Sequence, residues 1–414
     1  TQAKTQLPHP GTPQDRLNFI DSLRGWAAFY VVCYHLALLP NPDLAIPAWL
    51  APIIMTGGTG VSLFFVVSAF TMCYTMRLRK DEPQLTRRFY LRRFFRIAPL
   101  FYAWMIASWL RDFHWYGVTH TWREIWMSLS FVYNFVPGQE QGFVWASWTL
   151  GVEMVFYLVF PLIYRWVQDY RKAAGFFLLT LALSASFSRI VTLLPIPAAE
   201  RNLFLHYSFL NNLPIFACGM LAYFLYERFL RGQVRDRAWG FVLIAFAVAG
   251  YAALLSGKLN FLLDILYWQA LIFSCLLLGL AILPWRPLVN RTTLFYGAIS
   301  YSFYLNHPTL VVALTPAYKR IYAWPLLPTL QYGLALALTA AGQLEDARAV
   351  LARVPDLKAG DAAIAGARAE LELAERAASV GDTEALAAAV AANPADHQAR
   401  FELAEALAAK GYRQ

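Results

Sequence analysis

The stretch Phe19-Ile-Asp-Ser-Leu-Arg24-Gly-Trp-Ala-Ala-Phe-Tyr-Val-Val-Cys-Tyr-His35 reads as most of a membrane-spanning helix, with a guanidinium near one end and an imidazole at the other. Eleven residues of α-helix make about three turns, so Arg24 and His35 project to one face, roughly 16 Å apart along the axis. A charged group at membrane depth is costly and normally faces a polar interior. Arg24 alone is equally well read as snorkelling to an interface, and His35 alone as a packing residue. Their alignment on one face favours a functional pair.

The rest of the chain supports the membrane reading. It has 414 residues, of which 58% are hydrophobic, 16% aromatic and only 15% charged. A soluble protein of this size would expose too much apolar surface, so an all-α, polytopic membrane protein is expected. Cys33, Cys73, Cys218 and Cys275 lie inside apolar runs and form no disulfide or zinc pattern. Residues 1–16 are polar, with no basic region leading into a cleavage site, so the first apolar segment is expected to be an uncleaved anchor.

Ten segments are long enough to span: about 18–39, 57–76, 97–111, 145–164, 173–194, 208–227, 239–256, 261–284, 297–315 and 324–341. Segment 121–136 is shorter and reads as interfacial or re-entrant. Basic clusters fix the topology. The strongest holds Arg77, Arg79, Lys80, Arg87, Arg88, Arg92, Arg93 and Arg96; three more lie near Arg165, Arg228 and Arg286. Ten spans with both termini cytoplasmic put all four on the cytoplasmic side. The net charge of +9 therefore reports topology and points to membrane lipid, not to nucleic acid.

Beyond residue 341 the composition changes. The first 341 residues carry 27 Lys and Arg against 14 Asp and Glu (+13); residues 342–414 carry 8 against 12 (−4) and are rich in Ala. Three organisational units follow: a polar segment 1–16, a transmembrane domain 17–341 and a small helical tail 342–414. Leu336–Gly342, Leu373–Gly381 and Leu403–Gly411 share a short pattern at spacings near a helical-repeat period. The tail is either a protein-binding module or an Ala-rich hairpin with no binding role.

Several motifs together resemble those of the membrane acyltransferase-3 family. They are Asp21-Ser-Leu-Arg24-Gly25 with Tyr34-His35, Gly57-Gly-Thr-Gly60 through Ser68, Arg92-Arg93-Phe-Phe-Arg96-Ile-Ala-Pro99, Trp148-Thr-Leu-Gly-Val-Glu153-Met-Val-Phe-Tyr157, and Ile299-Ser300-Tyr-Ser-Phe-Tyr304-Leu-Asn-His307. The resemblance covers residues 15–330. It implies a ten-helix protein that moves an acyl group, an acetyl group above all, from cytoplasmic acyl-CoA to a hydroxyl of an extracytoplasmic glycan, in a bacterial inner membrane. Ala69 and Asn306 depart from the family pattern, which has Gly and an aromatic there. The tail resembles the tetratricopeptide-like end of thioredoxin-related co-chaperones, especially across Ala392-Asn-Pro-Ala-Asp396, although no Cys-x-x-Cys accompanies it.

The topology places the candidate residues by depth. Arg24, Arg93 and Arg96 fall near the inner surface, where planar guanidinium forks suit the phosphates of coenzyme A. His35 and Glu153 fall in the outer halves of their spans, and His307 near the middle of its own. Acyl transfer needs a base for the hydroxyl proton, and histidine, with an unperturbed pKa of ~6.5, suits that role. His35 is the first choice. Glu153 would orient a histidine or the acceptor, or else pair with an intramembrane Arg. His307 ranks below His35, because a histidine before Pro308 also reads as a helix-end residue. The remaining arginines of 77–88 read as topology alone. No metal-ligand spacing is present, so no metal is expected. A secondary transporter or lipid-linked glycan flippase, using the same charges as a relay, is the alternative. A membrane anchor for the tail is a third reading.

Overall fold

The computed structural model describes residues 17–40, 46, 47, 49–231, 236–259, 263–322, 326–352, 354, 362–379, 383–393 and 396–411. The polar segment 1–16 and Gly381 lie outside the described residues. Among these the chain is helical, without strands. The helices are α1 (Asn18–Leu38), α2 (Ala51–Met55), α3 (Gly60–Leu78), α4 (Leu85–Arg111), α5 (Trp122–Leu129), α6 (Trp148–Trp166), α7 (Tyr170–Thr192), α8 (Ala198–Tyr207) and α9 (Phe209–Phe229). They continue with α10 (Arg237–Leu255), α11 (Ile265–Ile282), α12 (Arg291–Ala313), α13 (Thr315–Tyr322), α14 (Leu326–Ala340), α15 (Leu344–Ala352), α16 (Ala362–Ser379), α17 (Thr383–Ala392) and α18 (His397–Gly411).

Among the described residues six helical segments are long and apolar enough to cross a membrane: Gly57–Leu78, Trp148–Trp166, Tyr170–Thr192, Ala198–Phe229, Arg237–Leu255 and Ile265–Ile282. The other expected spans fall short of that description for physical reasons. Helices α1, α4 and α12 have 21, 27 and 23 residues, ample length, but they carry the buried polar and charged side chains. The expected third span, 97–111, is the second half of α4, whose first half bears the arginines. Helix α14 has 15 residues, short of the ~20 that a bilayer needs. Segment 121–136 forms the eight-residue α5 and then a 3-10 turn at Tyr133–Phe135.

Helix α3 lies at the centre of the larger unit, packed against α1, α9 and α11. With lipid as solvent, helix association depends on close packing of small residues more than on burial of apolar area. Added Cβ atoms show where backbones touch. One on Gly219 would come 2.3 Å from the Val66 carbonyl of α3, and one on Gly60 would come 2.6 Å from the Ala27 carbonyl of α1. The contact of α1 with α12 is tighter. A Cβ on Gly25 would lie 2.3 Å from the Thr293 carbonyl, and one on Gly297 only 2.0 Å from the Asp21 carbonyl. Trp26 Nε1–H donates to the Leu288 carbonyl, just before α12 (3.0 Å), and Thr293 Oγ1–H of α12 donates to Ser22 Oγ (3.0 Å).

Contacts divide the chain at Val312–Ala313, whereas composition changes near residue 341. In the second unit α14 packs on α15 and α16, with Ala335, Ala347, Leu351, Ile364, Ala367 and Leu371 buried between them. Gly342, at φ +76°, ends α14. Its N–H meets the Thr339 carbonyl, and that of Gln343 meets the Leu338 carbonyl, a Schellman closure. The helix read from sequence as the last span thus shares its small-residue face with the Ala-rich tail.

Candidate active site

Gly25 and Gly297 position the histidines. His35 and His307 each lie ten residues further along their helices, ~15 Å in each case. Two helices that touch at the glycines and run together bring the imidazoles into register. His307 Nε2 is 3.1 Å from His35 Nδ1, with ring centroids 4.7 Å apart.

Hydrogen-bond partners assign the tautomers. Pro308 has no N–H, so the carbonyl of Tyr304, four residues earlier, loses its helical donor. His307 Nδ1–H donates to that carbonyl instead. His307 is therefore not a helix-end residue, because α12 continues through Pro308 to Ala313. With its proton on Nδ1, neutral His307 presents the Nε2 lone pair. His35 Nδ1–H, which also lies 2.9 Å from the Val31 carbonyl, donates to it. The unprotonated Nε2 is then left as the basic atom of His35. His307 is 2% exposed, while His35 is half-buried and lines a cavity of about 530 Å³. His307 thus stands behind His35.

Three cavities follow one another along α3. The wide one meets α3 and its preceding turn at Gly58, Thr59 and Val61, and is walled by Tyr34, Trp145, Trp148, His206 and Tyr207. A narrow one, about 50 Å³, is bordered by Val61, Phe64, Phe65 and Ser68, together with Arg24, Glu153, Ser300, Tyr301 and Tyr304. The third, about 180 Å³, is lined by Thr71, Thr75, Arg79, Arg92, Arg93 and Arg96. Val61 and Tyr304 belong to both the wide and the narrow cavity. Helix α3 has 19 residues, so the series extends over ~28 Å, close to the ~30 Å of a hydrocarbon core.

The basic cluster separates by partner. Glu82 takes Arg79, Arg88 and Arg92, at 3.9, 3.1 and 2.9 Å; Glu227 takes Arg77 and Arg231. The slight desolvation of Glu82 raises its pKa, but these arginines outweigh it and hold the carboxyl below its ordinary value. Among the described residues, no carboxylate forms an ion pair with Arg93 or Arg96. Arg93 instead lies over the rings of Tyr157 (5.3 Å) and Phe89 (5.6 Å). Arg24 feels the charges of Arg96, Glu153 and Arg93. The three arginines singled out in the sequence are therefore grouped, with Arg24 one cavity deeper.

Glu153 belongs to the narrow cavity. Its Oε1 accepts from Ser68 Oγ–H (2.5 Å) and from the Tyr157 hydroxyl. It shares that cavity with Arg24, while His35, with His307 behind it, lines the wide one. Sequence reading missed Tyr304, whose hydroxyl accepts from Thr149 Oγ1–H (3.1 Å), and missed Arg79 and Arg92 as cavity residues. Thr71, Thr75 and Arg79 recur every four residues, a spacing that marks one face of α3. Asn306, which departs from the family pattern, accepts from Trp104 Nε1–H. Among the described residues no group of three or more His, Cys, Asp or Glu is placed to hold a metal ion.

Residues 17–342 match a family described as an acyltransferase domain. A protein of Acidianus two-tailed virus named as an acetyltransferase is 27% identical over 293 residues, covering 70% of this chain and 81% of the relative. An acyltransferase of Streptomyces mycarofaciens, MdmB, is 31% identical over 160 residues, covering 37% of this chain and 40% of the relative. No solved structure matches the chain at a significant level.

Proposed function

From the premise that the chain belongs to the acyltransferase-3 family, and is a multi-pass membrane acyltransferase, we propose that it transfers an acetyl group from cytoplasmic acetyl-CoA to a hydroxyl of an extracytoplasmic carbohydrate. The observation that carries this reading is His35, backed by His307, opening on the wide cavity, with an arginine-lined cavity at the other end of α3.

Arg93 and Arg96, which form no ion pair with a carboxylate among the described residues, hold the phosphates of coenzyme A through charge-assisted bonds. Arg24 meets the donor's arm in the narrow cavity, where Glu153 balances its charge. The acyl thioester then reaches the Val61–Tyr304 boundary. His35 Nε2 takes the proton of the acceptor hydroxyl as its oxygen attacks the thioester carbonyl. The positive charge on His35 is shared across Nδ1–H to His307 Nε2, so His307 is a positioning residue. When the tetrahedral intermediate collapses, the C–S bond breaks and the thiolate leaves with the proton that His35 returns. Products are the ester and free coenzyme A.

The basic end faces the cytoplasm by the positive-inside rule, which puts the wide cavity on the outer side. A bacterial inner membrane and polysaccharide O-acetylation fit this orientation. The paired helices of the tail offer a protein-binding surface. The test is His35→Ala: transfer from acetyl-CoA should be lost while the folded protein still binds coenzyme A. Wild-type turnover in that variant would remove His35 from the mechanism.

A further inference from the structure

A fourth cavity, of about 260 Å³, lies beside the wide one and is not used by the mechanism above. The two share Gln141 and Gly142, so they adjoin through one short stretch of backbone. That stretch is held firmly. Asn134 Nδ2 donates to the Glu140 carbonyl (3.0 Å), and Ser147 Oγ–H to that of Gln141 (3.1 Å). Gly138 and Gly142 take φ of +77° and +67°, and a Cβ on Gly142 would press on Ser147 Oγ at 2.9 Å.

Asp112, Glu124, Glu140 and Glu200 stand in or near this cavity; a Cβ on Gly138 would lie 3.0 Å from Glu200 Oε1, and Asp112 and Glu124 are occupied. Asp112 takes Arg111 Nε–H (2.7 Å) and pairs with His120 Nε2 (2.9 Å). Glu124 closes the capping box of α5 with Thr121 (3.0 Å) and approaches His120 Nδ1 (3.3 Å). Glu140 differs. It is 3% exposed, it lines the cavity, and its buried Oε2 has no hydrogen-bond partner. A buried carboxylate oxygen left unpaired is costly, so the site favours a ligand that donates to it. Beside it the rings of His120 and Phe143 stack on each other, with centroids 4.3 Å apart and planes at 26°, and both residues line the cavity.

We propose that this cavity is a second acceptor subsite. Glu140 accepts a hydrogen bond from a hydroxyl of the unit adjacent to the one whose hydroxyl reaches His35. The inference rests on the acyl-transfer reading for the identity of the neighbouring unit. It requires an acceptor of at least two hydroxylated units, threaded past Gln141 and Gly142.

The test uses the purified full chain in detergent, titrated with glucose and cellobiose and with N-acetylglucosamine and chitobiose, and followed by tryptophan fluorescence. At least one disaccharide should bind the wild type tenfold or more tightly than its monosaccharide. Glu140→Ala should weaken that disaccharide by about ten- to a hundredfold, the range of a hydrogen bond to a charged group, and collapse the ratio. Glu140→Gln, which keeps the volume, should fall between, and retention volume and melting temperature establish that each variant is folded. An unchanged ratio in Glu140→Ala, or no disaccharide preference in the wild type, overturns the subsite. Release of the coenzyme A thiol from acetyl-CoA is measured in parallel with the same sugars. Its absence would count against acyl transfer, while the binding ratio judges Glu140 separately.

Discussion

Gly297→Ala perturbs the site from a distance of ten residues, through backbone alone. The added methyl would lie 2.0 Å from the Asp21 carbonyl oxygen and 2.6 Å from its carbon, where side-chain Cβ contacts below 3.0 Å are essentially never seen. Both atoms are backbone of α1, so no rotamer relieves the clash and the helices must part by about 1 Å. That displacement carries the His35–His307 contact from 3.1 Å beyond hydrogen-bonding range. Overpacking costs ~1–3 kcal/mol, but alanine favours a helix over glycine by ~1 kcal/mol, so stability should fall by only about 0–2 kcal/mol. A 1 Å misplacement at a reacting centre costs ~100-fold in rate. Turnover is therefore the sensitive readout, and the expected outcome is a folded protein with kcat down about a hundredfold. The assay is acetyl transfer beside a thermal melt in one detergent. Gly175→Ala is the control, since a Cβ there meets nothing within 4 Å. Wild-type turnover in Gly297→Ala would refute the claim that this glycine contact sets the histidine register.

Other outcomes follow from the same geometry. His307→Ala should lower kcat by about ten- to a hundredfold, less than loss of His35, with KM for acetyl-CoA little changed, because it orients the base and touches no substrate. Arg93→Ala and Arg96→Ala should weaken coenzyme A binding by tenfold or more, with only partial rescue by Lys, whereas Arg77→Ala, paired with Glu227, should cost little; calorimetric titration separates these cases. The Glu82 carboxyl is held below its ordinary value of 4.5, so the stability it contributes is complete above about pH 4.5 and lost as pH falls through its lowered pKa. Glu82→Gln should remove its share of the acid-side dependence from the melting profile while leaving the shape of the profile above pH 6 as in the wild type.

Much of this arrangement was legible in the order of residues. Arg24 and His35 belong to one helix, and Arg93 and Arg96 line one cavity. What the sequence could not show was pairing across helices. Gly25 and Gly297 are far apart in the chain, and nothing in either segment announces that they touch, so the histidine pair emerged only from packing. Pro308 leaves a second reading of His307 open in the sequence for the same reason. A proline after a histidine suggests a helix end, yet inside a buried helix it frees a carbonyl that the histidine then satisfies. Glu153 reads from sequence as orienting a histidine or the acceptor, or as pairing with an intramembrane Arg; the hydroxyls of Ser68 and Tyr157 hold it beside Arg24, in a cavity that neither histidine lines. The count of spans shows a further limit. Hydropathy finds helices that face lipid, and α1, α4 and α12 are polar because they build the site. Contacts place α14 with the tail, a grouping hidden because an Ala- and Leu-rich helix suits lipid and helix packing alike.

The most direct test of the account is sidedness. The protein is reconstituted in one orientation in sealed liposomes, with radiolabelled acetyl-CoA on the Arg93–Arg96 face and an impermeant disaccharide acceptor on the His35 face. Labelled ester should form in that arrangement and not when donor and acceptor are exchanged. Transfer that requires both substrates on the same face would contradict a donor path running along α3 from the arginines to the histidine pair.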